Sequence, residues 1–337
     1  MHRAAGPKAD EALDCRDVCS RAEWTVAASF RFAKSISYIA RERAGWAVRI
    51  TTAIVVVLLS TLTAVACTTA PNGQMPKNGK IIPLNYLPAL SGDYFEQASK
   101  ETGRRYHIYI RLPESYSNAL PDTRYPVVYL LDGDSLFPIL ATEHLFLNID
   151  EKLPEAIIVG IAYGSFDPSI NKRDVDFTAP AGGLKLEYAG APAFHRFPKT
   201  ELIPAVERRY HADSDRRVLF GQSRGGSFVL YSAFTDPDLF WGRIASNASF
   251  RADGDRYFQD GPAATRRDLG LVVTSGTRDR PPLREEAVKW FKHWNGVTDS
   301  PWTIKTVNVE GGTHSADSTD AYRAGMLWLF GRSAVAP

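Results

Sequence analysis

The sequence predicts one α/β domain whose mainly parallel sheet carries helices on both faces. Three observations lead there. Continuous apolar runs of strand length recur along the chain, segments of helical period separate them, and polar residues cluster just after the runs' carboxyl ends. A chain of 337 residues, 44% hydrophobic and 23% charged, can bury a large core and is neither collagenous nor a multi-span membrane protein in composition. Its formal charge of +2, without a basic run interleaved with aromatics, lacks the electrostatic footprint of a nucleic-acid binder.

The first apolar stretch is of a different kind. Residues 50 to 66, "ITTAIVVVLLSTLTAVA", follow Arg49, carry no charge and end in small residues before Cys67. This is the order of a secretory signal, and it is short for a membrane span, which needs about 20 residues. "LTAVAC" is similar to a bacterial lipobox, so 48–66 is expected to be a lipoprotein signal and Cys67 the lipidated residue; an uncleaved anchor and an ordinary cleavage near Cys67 are the alternatives. Residues 1–47 precede it with mixed charge and are expected to be an extension that is not native, with initiation near Val48, or else a disordered cytoplasmic segment. Residues 67–80, with "TTAPNGQMPKNGK", read as a flexible tether, and 81–337 as the globular domain. The cysteines Cys15, Cys19 and Cys67 all lie ahead of that domain, so packing rather than a disulfide or thiolate metal site must stabilise it.

Within the domain, "YHIYIRLPESY" alternates as a half-buried strand does, while "YPVVYLLDGDS", "EAIIVGIAYG", "RRVLFG" and "LGLVVTSG" are runs covered on both faces, and "WTIKTVNV" is the last strand. "FHRFPKTELIPAVERRY" spaces Phe194, Phe197, Leu202, Val206 and Tyr210 as one helical stretch, and "LREEAVKWFKHW" and "TDAYRAGMLWLF" do the same. Ligand sites in such sheets lie at the carboxyl ends of the strands. Asp132 and Asp134, Ser223, Asp279 and His314 all fall there.

A serine hydroxyl needs a neighbouring base oriented by a carboxylate before it attacks at neutral pH. Gly221-Gln222-Ser223-Arg224-Gly225 fits the G-x-S-x-G elbow, and its place between a strand and a helix is the context the motif requires; by itself it could be a βα turn capped by Ser223. His314, after Gly311, Gly312 and Thr313, is the expected base, and the order serine, acid, histidine agrees with this assignment. His107 lies within a strand, His144, His195 and His293 on helices and His211 after one, and all are expected at the surface or the core's edge. Asp279 is the first choice for the acid, Glu285 and Glu286 are alternates, and a Ser–His dyad remains open. Backbone N–H donors for an oxyanion are expected at Arg224 and Asp134. Asp132 and Asp134 lack a third ligand of recognisable spacing, so a turn role is expected in place of a metal pair.

Together with "NKRDVDFT", "TDPDLF" and "GGTHSADS", these segments resemble the esterase D branch of the α/β hydrolases, from about Leu90 to Phe330. That branch includes siderophore esterases that open enterobactin-type trilactones, and it is related to acetyl-xylan and feruloyl esterases and to mycolyltransferases. The resemblance implies an α/β-hydrolase fold, Ser223 as nucleophile, His314 as base, oxyanion donors at Arg224 and Asp134, and no cofactor. The chain departs from the family's "GHSLGG" and "DYTP" with "GQSRGG" and "DFTAP". Arg224 would suit an acidic or catecholate substrate, and equally a simple salt bridge. The expected activity is cleavage of a small-molecule carboxylic ester through an acyl-enzyme, by a protein held on a membrane by lipid. Acyl transfer, or a non-catalytic binding lipoprotein on the same fold, are the alternatives.

Overall fold

The computed structural model describes residues 87–333. The expected signal, tether and Cys67 lie outside the described residues. Among the described residues no helix is long and apolar enough to cross a membrane.

Eight strands form one sheet: β1 (Gly92–Ala98), β2 (Arg105–Arg111), β3 (Tyr125–Leu130), β4 (Ile157–Ala162), β5 (Ala212–Gln222), β6 (Gly242–Ser246), β7 (Leu269–Gly276) and β8 (Trp302–Val309). Their order is β1-β2-β4-β3-β5-β6-β7-β8. β2 pairs antiparallel with β1 and with β4, and every pairing from β4 to β8 is parallel. The helices are α1 (Gly133–Glu151), α2 (Arg173–Asp176), α3 (Ala191–Phe197), α4 (Ile203–Arg209), α5 (Arg224–Thr235), α6 (Pro281–Trp294) and α7 (Ser318–Ser333).

The period of two in each strand divides the core between the sheet's faces. Val127, Tyr129, Ile157, Val159, Leu219 and Leu271 pack with Phe194, Phe197, Phe228 and Trp290 from α3, α5 and α6. Val128, Leu130, Ile158, Phe220, Ile244 and Val272 turn the other way, onto Leu136 and Leu140 of α1 and Tyr322, Met326 and Leu329 of α7. Burial on both faces explains why these strands read as unbroken apolar runs.

The six strands expected are present, and two more join them. β1 is an edge strand whose residues are exposed or half-buried, so neither face gives a clear apolar pattern. β6 is only five residues long and carries Arg243 at its second position, buried against the carbonyls of Pro237, Phe240 and Asp236. The stretch expected as one helix is α3 and α4 joined by a π-helical turn at Pro198–Leu202, because Pro198 has no N–H to continue the α ladder. His144 and His195, expected at the surface or the core's edge, are buried. His144 sits between the Tyr322 hydroxyl and the carbonyl of Pro154, both within hydrogen-bond reach of its ring nitrogens.

The chain order reverses at β3: the connection to β4 runs to one side of it and the return to β5 to the other. The crevice beyond β3 and β5 is therefore where an open α/β sheet can receive a ligand.

Candidate active site

β5 ends at Gln222 and α5 starts at Arg224, which leaves Ser223 alone to make the turn. It does so at φ 57° and ψ −118°, a backbone conformation unfavourable for a residue with a side chain. The flanking glycines do not carry that conformation. They are needed for close approach: a Cβ on Gly221 would lie 2.4 Å from the Gly225 carbonyl oxygen, and one on Gly226 would lie 2.6 Å from that of Ser246. Ser223 N–H donates to the Ser246 carbonyl at 2.8 Å, fastening the turn to the end of β6. Ser223 occupies the N-cap position of α5 but its side chain makes no capping bond.

That hydroxyl faces His314 instead, with Oγ 2.8 Å from Nε2. On the ring's other side Nδ1 is 2.8 Å from Asp279 Oδ1. Asp279 lies three positions beyond the end of β7, with its side chain 1% exposed, and the same oxygen accepts the N–H of Arg280 at 2.6 Å. A carboxylate can only accept, so the bond to Asp279 requires a proton on Nδ1 and leaves Nε2 of the neutral ring able to accept from serine. Glu285 and Glu286 belong to α6, and the histidine's hydrogen bond goes to Asp279.

Asp134 is in the first turn of α1, where backbone N–H groups have no intrahelical partner; Arg224 is the first residue of α5 and shares that property. The Asp134 carboxylate accepts the N–H groups of Tyr163 and Gly164 at 2.9 and 2.7 Å. Burial raises its pKa, and those two bonds oppose the rise. Asp132 is engaged by Arg173, whose Nε and Nη2 reach its two oxygens at 2.6 and 2.9 Å. Burial alone would lower the Arg173 pKa; the Asp132 carboxylate outweighs it and the net shift is upward. Both aspartates thus brace the turn after β3. Among the described residues no group of three or more histidines, cysteines or acids is arranged to hold a metal ion.

The Arg224 side chain pairs with Asp174 at 2.9 Å, in a contact exposed on both sides. Such a pair contributes about 0–1 kcal/mol and gives way readily. Two cavities meet at Ser223 and His314. One, about 220 Å³, has Phe177, Tyr257 and Leu283 among its apolar walls and Arg224, Arg280 and Ser249 among its polar ones. Ala179, of the "DFTAP" stretch, also lines it. The other, about 400 Å³, is bounded by Asp134, Ile139, Phe166 and Arg173.

Three buried polar residues have no counterpart in the sequence reading. Gln222 donates to the His314 carbonyl at 2.9 Å, Asn247 to the same carbonyl at 3.2 Å, and both reach Asp317 Oδ1. Gln222 stands at a variable position of the elbow motif, and Asn247 follows a strand the sequence did not disclose. The one legible signal was the placement of "ADS" in the loop after the predicted strand "WTIKTVNV".

A family model described as "Putative esterase" matches residues 99–330. The ferri-bacillibactin esterase BesA of Bacillus subtilis is 38% identical over 168 residues, 45% of this chain and 56% of that protein. The apo-salmochelin esterase of Escherichia coli is 32% identical over 139 residues, 38% of this chain and 42% of the other. The chain thus spans about half the length of the curated relatives it matches. The crystal structure of the BES protein from Bacillus cereus superposes with a TM-score of 0.62 at 24% identity, over 70% of this chain and 94% of that one, and so shares the α/β-hydrolase fold.

Proposed function

Since the chain belongs to this esterase family, we propose that it is a serine hydrolase acting on a carboxylic ester through an acyl-enzyme. The observation that carries the proposal is the relay of two 2.8 Å contacts from Ser223 through His314 to the buried Asp279. Ser223 Oγ attacks the ester carbonyl while His314 Nε2 takes its proton. The tetrahedral oxyanion is received by the N–H groups of Arg224 and Asp134. His314 then returns the proton to the departing alcohol, and water, deprotonated by the same nitrogen, releases the acid and restores Ser223. Asp279 holds the ring and stabilises its cation.

A fluorophosphonate probe tests this directly. Wild-type protein is expected to be labelled at Ser223 and to lose esterase activity in step. Folded protein that takes no label, with activity unchanged in Ser223→Ala, would overturn the proposal.

For the substrate we propose a siderophore ester. Curated relatives at 38% and 32% identity are named for siderophore esters, and the smaller cavity adds chemistry of the same kind: Arg224 and Arg280 beside aromatic walls suit an anionic, aromatic acyl group. Hydrolysis of a tricatecholate trilactone at least about tenfold faster than of neutral p-nitrophenyl esters is expected, one charge-assisted contact being of that order; equal rates would count against it. The apolar segment ahead of Cys67 supports export and lipid attachment, and the mass of the mature N-terminus tests both.

A further inference from the structure

Resting on the proposed relay, we infer that Asn247 is a positioning residue: one buried amide ties the loops of nucleophile, acid and base together without touching the reacting atoms. It sits just past β6, 1% exposed, at φ 45°, a left-handed conformation that asparagine tolerates better than most residues. Its own N–H donates to the Thr274 carbonyl of β7 at 3.0 Å. Its side-chain Oδ1 accepts the Gly276 N–H at 2.8 Å, at the end of the strand that leads to Asp279. Its Nδ2 donates to Asp317 Oδ1 at 2.7 Å and to the carbonyls of Thr313 and His314 at 3.0 and 3.2 Å. The preceding carbonyl, that of Ser246, receives the Ser223 N–H.

These partners permit one orientation of the amide. Reversing it would set an NH2 group against the Gly276 N–H and an oxygen against three oxygens. No other polar side chain of the 20 types has this reach with an acceptor on one branch and a two-proton donor on the other, except the longer glutamine. A carboxylate in its place would oppose Asp317 and both carbonyls. Gln222 supports the same loop from β5, through the His314 carbonyl. The arrangement explains why a polar residue is buried here at all: the base stands on a loop with two glycines before it, and the amide fixes that loop relative to the acid.

Asn247→Gly separates this role from the backbone's needs, because glycine adopts positive φ freely but brings no amide. The expected result is a kcat about ten- to a hundredfold below wild type with KM within about twofold, since a misplaced base slows chemistry more than binding. The rate of fluorophosphonate labelling at Ser223 is expected to fall in parallel, in protein that still melts cooperatively. A kcat within about twofold of wild type would overturn the inference and assign Asn247 to turn geometry alone. Should Asn247→Gly not melt cooperatively, Asn247→Ser, whose hydroxyl cannot span the partners, is judged by the same kcat and KM criteria. Wild-type protein that takes no label would instead defeat the proposed function, and this inference with it.

Discussion

At the scale of single residues, Asp279 Oδ1 is the acceptor for two N–H groups that come from different loops, the Arg280 backbone and the His314 ring. The backbone bond holds the carboxylate still, and burial keeps water from competing for it. Asp279→Asn preserves the shape and removes the charge, so kcat is expected to fall by about four orders of magnitude with little change in KM, on the precedent of hydrolase triads; steady-state kinetics on one ester checks it. Arg224 divides differently between backbone and side chain. Its N–H, the proposed oxyanion donor, does not depend on the side chain, while its guanidinium rests on Asp174 in an exposed pair. Arg224→Leu is therefore expected to keep kcat on a neutral ester and to raise KM about tenfold on an anionic one. Equal losses on both substrates would show that the side chain acts on the elbow rather than on the substrate.

The elements transmit these constraints. α5 is held at both ends by things other than its own propensity. At its start, the absence of a Cβ on Gly226 lets the helix approach the Ser246 carbonyl. At its far end, Arg243 of β6 donates to the carbonyls of Asp236, Pro237 and Phe240, which an α-helix terminus and the turn after it would otherwise leave unsatisfied. Burial pushes the Arg243 pKa down to about 9, yet the group remains charged at neutral pH. Arg243→Met is expected to destabilise the domain by about 3–5 kcal/mol, because buried carbonyls lose their donors together; a lower urea midpoint at unchanged slope would register it. Gly226→Ala should leave most of the stability in place while slowing fluorophosphonate labelling of Ser223, as the added methyl must push the turn away from β6.

For the molecule as a whole, two buried histidines contribute to how stability depends on pH. Burial lowers the pKa of His144 and of His195 to about 4. In the unfolded chain each returns to about 6.5. Between those values each histidine binds more protons in the unfolded state than in the folded one, so this part of the stability is fully present above pH 6.5 and declines as the pH falls toward 4. Each histidine contributes a slope of up to about 1.4 kcal/mol per pH unit within that window. Urea midpoints at pH 7 and pH 5 are expected to differ accordingly, and His195→Phe, which suits the neighbouring rings of Phe228 and Tyr231, should shrink the difference. A difference unchanged by that substitution would contradict the assignment.

The fold was legible wherever burial on both faces writes itself into consecutive residues, as in β3, β4 and β7. It was illegible at β1, where an edge strand buries neither face well, and at β6, where a charged residue interrupts a short run and finds its partners in carbonyls that no local pattern reveals. Ser223, His314 and Asp279 could be nominated because each follows a recognisable strand in the order such a relay uses. That Asp279, rather than Glu285 or Glu286, lies 2.8 Å from the His314 ring was visible only in the tertiary structure, and Asn247, Gln222 and Asp317 needed the convergence of three loops. By itself, then, the amino-acid order determined the strand and helix periods, the elbow and the rim on which candidate groups would stand, since those depend on neighbours along the chain. Which acid faces the base, that Arg224 leans on Asp174 and that one buried amide joins the loops were decided only by the tertiary structure, because those contacts link residues dozens of positions apart whose meeting depends on how the parallel strands are ordered across the sheet.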